Sequence, residues 1–428
     1  MGVGNDGTRV RARRRFLQAA ALAVVGGAQF ASATARRARV IVAGGGFAGA
    51  TCALQLRRLD PAIDVTLVDP DESYVTCPLS DAALVGWRSM QSLTVSRAGL
   101  ARAGVRYVRD RVASIDAQAR HIRLASSTDL AYDRLVVAPG IRFLWDRLQG
   151  YGEADSQRMP HAWRAGAQTN LLAAQLRDLD DGGVFAICVP PGLMRCPPAP
   201  FERASVVAAY LKQHRRRSKV LIFDANNHFP KQDVFAAAWQ EFYPGMIEWI
   251  PATEGGAVER VDASNMTLYT SRGVQRVAVA NVIPQQAPGL LAVDAGLASG
   301  HGWCPVKPES FESALIDNVH VIGDACIAGA IPKSASAANA QAKACAAAVV
   351  SLLAGKTPEP PRLTGACFNT VAPGYAFSLS GVYAPKDGLF NEVEGGGTSP
   401  LDASREVRAQ EAETALDWFS TITADTFG

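Results

Sequence analysis

The stretch Arg39-Val40-Ile41-Val42-Ala43-Gly44-Gly45-Gly46-Phe47-Ala48-Gly49, with Asp69 further on, decides the fold. Val40 to Ala43 read as a short buried strand. An alanine-rich helical pattern runs from about Ala50 to Arg58, and a second strand, Val65 to Val68, ends in Asp69. Strand, glycine turn, helix, strand and acid in that order make a βαβ nucleotide-binding unit. Gly44 permits the tight turn, Gly46 lets the backbone approach a pyrophosphate, and Gly49 lets the helix pack on the strand. The helix N-terminus offers free N–H groups and a partial positive charge to the phosphates. Asp69 stands where a carboxylate accepts from ribose hydroxyls.

A chain of 428 residues with 48% hydrophobic content predicts two or three ordinary globular domains. The formal charge of +3 is misleading, because Arg9, Arg11, Arg13, Arg14 and Arg15 cluster near the start. The remainder is close to neutral, which gives no electrostatic case for a nucleic-acid partner. The run Lys212 to Lys219 reads as a solvated helix end. Residues 1–35 read as a targeting segment. Arg13-Arg14-Arg15-Phe16-Leu17 fits the twin-arginine export pattern, and Ala19 to Ala28 is too short to span a bilayer. Ala31-Ser32-Ala33 and Ala33-Thr34-Ala35 are both cleavage candidates. The mature protein is therefore expected in the periplasm, where disulfides persist.

Farther along, Val105 to Val112 and Arg120 to Leu124 alternate like a small hairpin layer. Tyr132 to Gly140 reads as a buried strand ending in a Pro-Gly turn. Residues 149–283 form a second α/β unit, with a helix over Ala162 to Leu179 and a strand over Gly183 to Val189. The next loop, Pro190-Pro191-Gly192-Leu193-Met194-Arg195-Cys196-Pro197-Pro198, lacks the N–H donors that cradle a pyrophosphate. A degenerate nicotinamide domain follows, one whose electrons do not come from or go to NAD(P)H. Val319 to Asp324 is a strand ending in Gly-Asp, where two-domain flavoproteins meet the ribityl chain of FAD; Pro332 to Leu353 continues as a helix. The fold class is thus α/β: two Rossmann-like domains of the two-domain flavoprotein, disulfide reductase-like type plus a small C-terminal α+β module. The FAD-binding domain is discontinuous, over 36–148 and 284–358, and the third module spans 359–428. Its polar last helix, about Ser404 to Phe419, argues against stable membrane insertion.

Of eight cysteines, none makes a C-x-x-C pair or a haem-attachment motif, and six scattered histidines indicate no metal site. Cys52, Cys188 and Cys345 lie on helices or strands and read as buried, inert thiols. Cys304 and Cys326 read the same way, although Cys326 is close to Asp324. Cys196 lies at a strand end among prolines and beside Arg195, a cation that favours the thiolate. Cys367 opens the third module. The spacing does not pair these two, and a structural role for Cys196 stays open at this point.

The residues taken together resemble the flavin-binding subunit of flavocytochrome c sulfide dehydrogenase. The resemblance rests on Thr76-Cys77, His161-Ala162-Trp163, Arg195-Cys196-Pro197-Pro198 with Glu202-Arg203-Ala204, Gly302-Trp303-Cys304-Pro305-Val306, Pro332-Lys333-Ser334, Cys367, Ala372-Pro373-Gly374-Tyr375 and Asp425-Thr426-Phe427-Gly428. It covers essentially the whole mature chain. It implies a thioether from Cys77 to the flavin, a redox-active disulfide between Cys196 and Cys367 beside the ring, and Glu202 as an acid/base. Position 78, commonly aromatic in that family, is Pro78 here.

Chemistry accommodates these roles. Hydrosulfide is a soft nucleophile that attacks disulfides by ordinary exchange, leaving a persulfide and a thiolate that can pass two electrons to a flavin. Lys333 is a candidate for stabilising negative charge on the reduced ring. The chain has no haem motif, so a c-type cytochrome is the expected acceptor. The alternatives are a sulfide:quinone reductase-like enzyme and a non-catalytic sulfur-binding flavoprotein.

Overall fold

The first strand, β1 (Arg39–Ala43), is apolar after its opening arginine and is buried from Val40 onward. It runs directly into the glycine turn, and α1 (Phe47–Leu59) follows. β2 (Asp64–Val68), β3 (Arg106–Val108) and β4 (Arg134–Val137) join β1 in one parallel sheet, with Val40 opposite Val65 and Ile41 opposite Leu135. α2 (Ser80–Leu84) lies on the β2–β3 connection, just after Cys77.

The computed structural model describes residues 1–2, 36–300 and 302–428. The expected twin-arginine leader lies outside the described residues. Residues 38–428 hold together as one unit.

The hairpin expected over Val105 to Val112 and Arg120 to Leu124 is divided. Leu100 and Val105 are buried in the core of the first sheet, and they draw Arg106–Val108 to that sheet's edge, where Val108 pairs with Val68. The antiparallel layer starts later, with Val112–Asp116 against His121–Leu124 and then Asp129–Ala131. Period-two alternation does not distinguish an edge strand of one sheet from a hairpin arm of another.

A second parallel sheet follows α3 (Ala167–Asp178). It contains β5 (Val184–Val189), β6 (Lys219–Asp224), β7 (Ile247–Ile250) and β8 (Val279–Val282) in the order β7-β6-β5-β8, with α4 (Ala199–His214) between β5 and β6. α3 starts later than the Ala162 expected from sequence. Ala162 has φ +44° and Gly166 φ +117°, and neither is compatible with a right-handed helix.

The chain then returns to the first sheet. β9 (Val319–Val321) pairs with β4 and completes five strands in the order β9-β4-β1-β2-β3. α5 (Ala335–Leu353) is capped by Ser334, whose hydroxyl accepts from the Ala337 N–H at 3.2 Å. Fully buried Cys52 on α1 and Cys345 on α5 share one core. The last module is an antiparallel sheet of β10 (Leu363–Ala372), β11 (Tyr375–Lys386) and β12 (Leu389–Thr398), closed by α6 (Arg405–Phe427). α6 runs past the expected Phe419 because its end is a core element. Ile422 and Phe427 are buried with the first sheet, and the Phe427 ring lies 5.7 Å from Phe47 and 5.4 Å from Tyr74. Among the described residues no helix is long and apolar enough to cross a membrane.

Candidate functional site

One cavity of about 1640 Å³ runs through the molecule. Gly44, Gly46, Asp69, Cys77, Cys196, Glu202, Asp324 and Cys367 all line it. At one end the glycine turn is packed as tightly as its sequence demands. A Cβ on Gly49 would stand 1.8 Å from the Gly44 carbonyl oxygen, and one on Gly44, at φ +105°, would stand 2.2 Å from the Ala138 oxygen. Gly46 differs, since its nearest neighbour would be the Tyr74 ring at 3.6 Å. No protein atom forbids a side chain there, so the bare backbone is left for a ligand. α1 has no side-chain cap and no acid in its first turn, so its N–H groups are free for phosphate oxygens. This cradle fits the pyrophosphate of a dinucleotide, and the cavity is larger than most small-ligand pockets.

Asp69 sits at the end of β2. Its Oδ2 accepts from the Gly45 N–H at 2.6 Å and its Oδ1 from Arg97 at 2.6 Å. Arg97 gives no signal in the sequence. It is nevertheless buried, donates to the Gly45 carbonyl at 2.6 Å, and places its guanidinium where a Gly45 side chain would start. It thereby locks turn and acid together.

The same cavity is lined by Cys77, Cys196 and Cys367. β5 ends at Val189, and the proline-rich loop brings Cys196 round in a left-handed conformation, φ +52°. Such backbone is uncommon for a residue with a Cβ and clusters at functional sites. The Cys196 N–H donates to the Lys333 carbonyl at 2.8 Å. Cys367 lies on β10 and its thiol meets the Ser334 hydroxyl. Both cysteines are thus tied to the two residues that open α5. All eight cysteines are free thiols in this structure. Burial pushes the Cys196 thiol well above its ordinary value, and the neighbouring Cys367 and Glu202 push it further. Arg195 opposes this without prevailing. The thiolate expected from sequence is therefore not favoured at rest, because desolvation outweighs one cation. Burial likewise pushes Cys367 up to about 11, and Glu202 adds to it.

Glu202, in the first turn of α4, sits within reach of both thiols. Burial pushes its carboxyl up to about 7, and the charge of Asp81 helps. It accepts from the Thr370 N–H and the Asn369 amide, both at 3.0 Å, so the strand that carries Cys367 also aims this acid. Next to it, Arg203 pairs with Asp81 of α2 at 2.8 Å and with Asn281 at 2.8 Å. That clamp fixes the segment after Cys77 against α4. Asp81, Asn281, Asn369 and Thr370, the partners of Arg203 and Glu202, are marked by no motif.

Asp324 follows β9 at the cavity wall, and burial raises its carboxyl while Arg195 and Lys333 oppose the rise. Lys333 is not in the wall. Its ammonium donates to the Asp324 and Cys326 carbonyls at 2.7 and 2.9 Å and lies 3.9 Å from the Trp303 ring centre. Cys326 is buried, with its thiol turned to the Gly323 carbonyl at 3.3 Å.

A five-stranded parallel sheet that opens on a glycine cradle, a second, four-stranded parallel sheet and cysteines lining the same cavity make the arrangement of a two-domain flavoprotein of the pyridine nucleotide-disulfide oxidoreductase type. The model of the pyridine nucleotide-disulphide oxidoreductases matches residues 38–164. The sulfide:quinone oxidoreductase of Aquifex aeolicus has the same fold, with TM-score 0.71 at 18% identity, covering 91% of this chain and 92% of that one. Residues 169–284 match the central region of the sulfide dehydrogenase [flavocytochrome c] flavoprotein chain, and residues 359–427 the flavocytochrome c sulphide dehydrogenase flavin-binding region. The flavoprotein chain of that enzyme from Chlorobaculum thiosulfatiphilum is 61% identical over 44 residues, 10% of this chain and 92% of the relative. Mouse mitochondrial sulfide:quinone oxidoreductase is 24% identical over 324 residues, 71% of this chain and 68% of the relative. The chain belongs to the family of flavocytochrome c sulfide dehydrogenase flavoprotein chains. It is a sulfide oxidoreductase with FAD as its cofactor.

Proposed function

We propose that Cys196 and Cys367 form a redox-active disulfide against FAD, which is held covalently through Cys77. Sulfide is oxidised there to sulfur or polysulfide, and the electrons leave to a c-type cytochrome subunit. One observation carries this reading: two cysteines remote in sequence wall the same cavity as Cys77, each within the electrostatic reach of Glu202. Bound FAD supplies a two-electron acceptor that can release its electrons singly.

The chain's own residues supply the rest. Hydrosulfide attack on the disulfide leaves a persulfide on one cysteine and a thiolate on the other. Both sites disfavour a resting thiolate, so the electron pair released there is held at high energy and has reason to leave. Glu202, with its carboxyl at about 7, is part protonated near neutrality and can give or take the proton. Lys333 contributes positive potential from behind Asp324. Gly44, Gly46, Gly49 and Asp69 are assigned to the cofactor's pyrophosphate and ribose.

The boundaries proposed for these roles are 36–148 with 284–358 for FAD, 149–283 for the domain bearing Cys196, and 359–428 for the module bearing Cys367. The last module is assigned to the cytochrome interface. Leu416 and Trp87 are partly exposed and both line the cavity, and an apolar margin suits a partner. The leader motif supports export to the periplasm.

The test is rapid mixing of the holoprotein with sulfide. Cys196→Ser and Cys367→Ser should keep FAD and lose the fast bleaching of its visible band. Rapid bleaching retained in either variant refutes the disulfide mechanism; no bleaching in the unmodified protein leaves only a sulfur-binding role. Reduction of a cytochrome rather than a quinone analogue decides the acceptor.

A further inference from the structure

The short strand Ser73–Val75 pairs antiparallel with Thr94–Ser96, and Tyr74 stands opposite Val95. This hairpin brings two side chains to the glycine turn. One is Arg97, which holds Asp69 and the Gly45 carbonyl. The other is Tyr74, which is half-buried and lines the cavity. The three atoms nearest a Cβ on Gly46 would all belong to Tyr74, its hydroxyl oxygen among them at 3.6 Å. Gly46 is also the residue that opens α1, whose first N–H groups have no side-chain cap.

The ring of Tyr74 has a clear packing role. It stacks on Phe427, with centroids 5.4 Å apart at 28°, and meets Phe47 edge-on at 5.8 Å. A phenylalanine would serve that stack as well. The hydroxyl has no such use: among the described residues it makes no hydrogen bond to the protein, and it is not sealed away from the cavity. The hydroxyls of Tyr107, Tyr151 and Tyr243, by contrast, each meet a backbone carbonyl, at 2.9, 2.6 and 2.7 Å. A largely buried phenol ordinarily finds a partner, so the partner of Tyr74 belongs to a ligand. Burial, and after it the nearby Cys77, raise this hydroxyl above its ordinary value, while Arg195 and Arg97 oppose the rise. It therefore keeps its proton and is a donor.

We propose that Tyr74 is a direct ligand of the cofactor, its hydroxyl donating to a pyrophosphate oxygen of FAD held over Gly46. The acceptor is assigned to the pyrophosphate because the hydroxyl shares its space with the bare Gly46 backbone and the uncapped start of α1, where an anion is favoured. A hydrogen bond to an anion is also the stronger kind. The proposal rests on the glycine cradle as the FAD site and needs neither the disulfide nor the thioether. Through the ring stack it gives Phe427, at the end of α6, a part in holding the cofactor.

Tyr74→Phe in the holoprotein keeps the ring stack and removes only the oxygen. Phosphorus NMR of the bound FAD should show a pyrophosphate signal displaced from its place in the unmodified protein, while the visible flavin band and the midpoint potential stay where they were. Release of FAD from the Cys77→Ser holoprotein, followed by the fluorescence that FAD regains in solution, should speed up about tenfold when Tyr74→Phe is added. Unmoved phosphorus signals overturn the proposal, and so does an unchanged release rate. A displaced flavin band with unmoved phosphorus signals also overturns it, by placing the hydroxyl at the isoalloxazine. Should the double variant lose its flavin during purification, the phosphorus comparison, made with Cys77 intact, decides alone. Failure of the thioether reading would appear as flavin released from the unmodified protein by acid, and failure of the disulfide reading as fast bleaching retained in the cysteine variants. Neither would move the phosphorus signals.

Discussion

Replacing Glu202 with Gln should reverse the sign of a stability difference between acid and alkaline pH. The Glu202 carboxyl is raised from 4.5 to about 7, chiefly by burial and then by Asp81. A carboxyl with a raised folded value binds a proton more tightly in the native state than in the unfolded one. The stability it contributes is full below about 4.5 and is lost as pH climbs through 7. At about 1.4 kcal/mol per unit, the loss comes to about 3 kcal/mol by pH 8. Gln cannot ionise and so escapes this loss. It does turn an NH₂ toward one of the two donors, Thr370 N–H and the Asn369 amide, at a cost of about 1 kcal/mol for the bond lost. Relative to the unmodified protein, Glu202→Gln should therefore be about 1 kcal/mol less stable at pH 4.5 and about 2 kcal/mol more stable at pH 8. Urea unfolding of the holoproteins at both values measures this. A difference between the two proteins that stays constant with pH would show that Glu202 ionises normally, and the acid/base assignment would fall with it.

Other outcomes follow from particular contacts. Gly46→Ala should fold normally, since its Cβ would meet nothing closer than 3.6 Å, yet bind less FAD; unchanged flavin stoichiometry would show that the turn does not face the pyrophosphate. Cys77→Ser should release flavin into the supernatant on acid precipitation, whereas the unmodified protein keeps it in the pellet; flavin released from both would rule out the thioether. Phe427→Ala should cost about 3–5 kcal/mol in urea unfolding, because this ring is 3% exposed and packs on Phe47 and Tyr74. A loss under about 1 kcal/mol would mean the end of α6 is not part of the first core.

How far the sequence reveals the site depends on how local the determinants are. The βαβ unit is legible because strand, turn, helix and acid act within thirty or so residues, and the glycines are demanded by backbone contacts at Ala138 and Gly44. The proline-rich loop after β5 is legible for the same reason. Arg97 is not: a lone arginine carries no spacing signal, and its bonds to Asp69 and the Gly45 carbonyl appear only in the fold. Arg203 and Trp163 stand in the runs that carry the family resemblance, but that they pair with Asp81 and Arg195 does not follow from those runs. The state of Cys196 also escapes a local reading. The adjacent Arg195 is visible in the sequence, but the burial that outweighs it arises only when β10 and the start of α5 close over the loop. The late start of α3 has a similar origin, in a turn at Ala162 held by the Arg203 guanidinium on its carbonyl at 3.0 Å.

The most direct measurement is non-reducing peptide mapping of the oxidised holoprotein before and after one equivalent of sulfide. Before sulfide, the peptide containing Cys196 should be found cross-linked to the peptide containing Cys367; afterwards the cross-link should be gone, with one added sulfur on one of the two. Finding both cysteines as free thiols in the oxidised protein, or the cross-link untouched by sulfide while the flavin is reduced, would contradict the account.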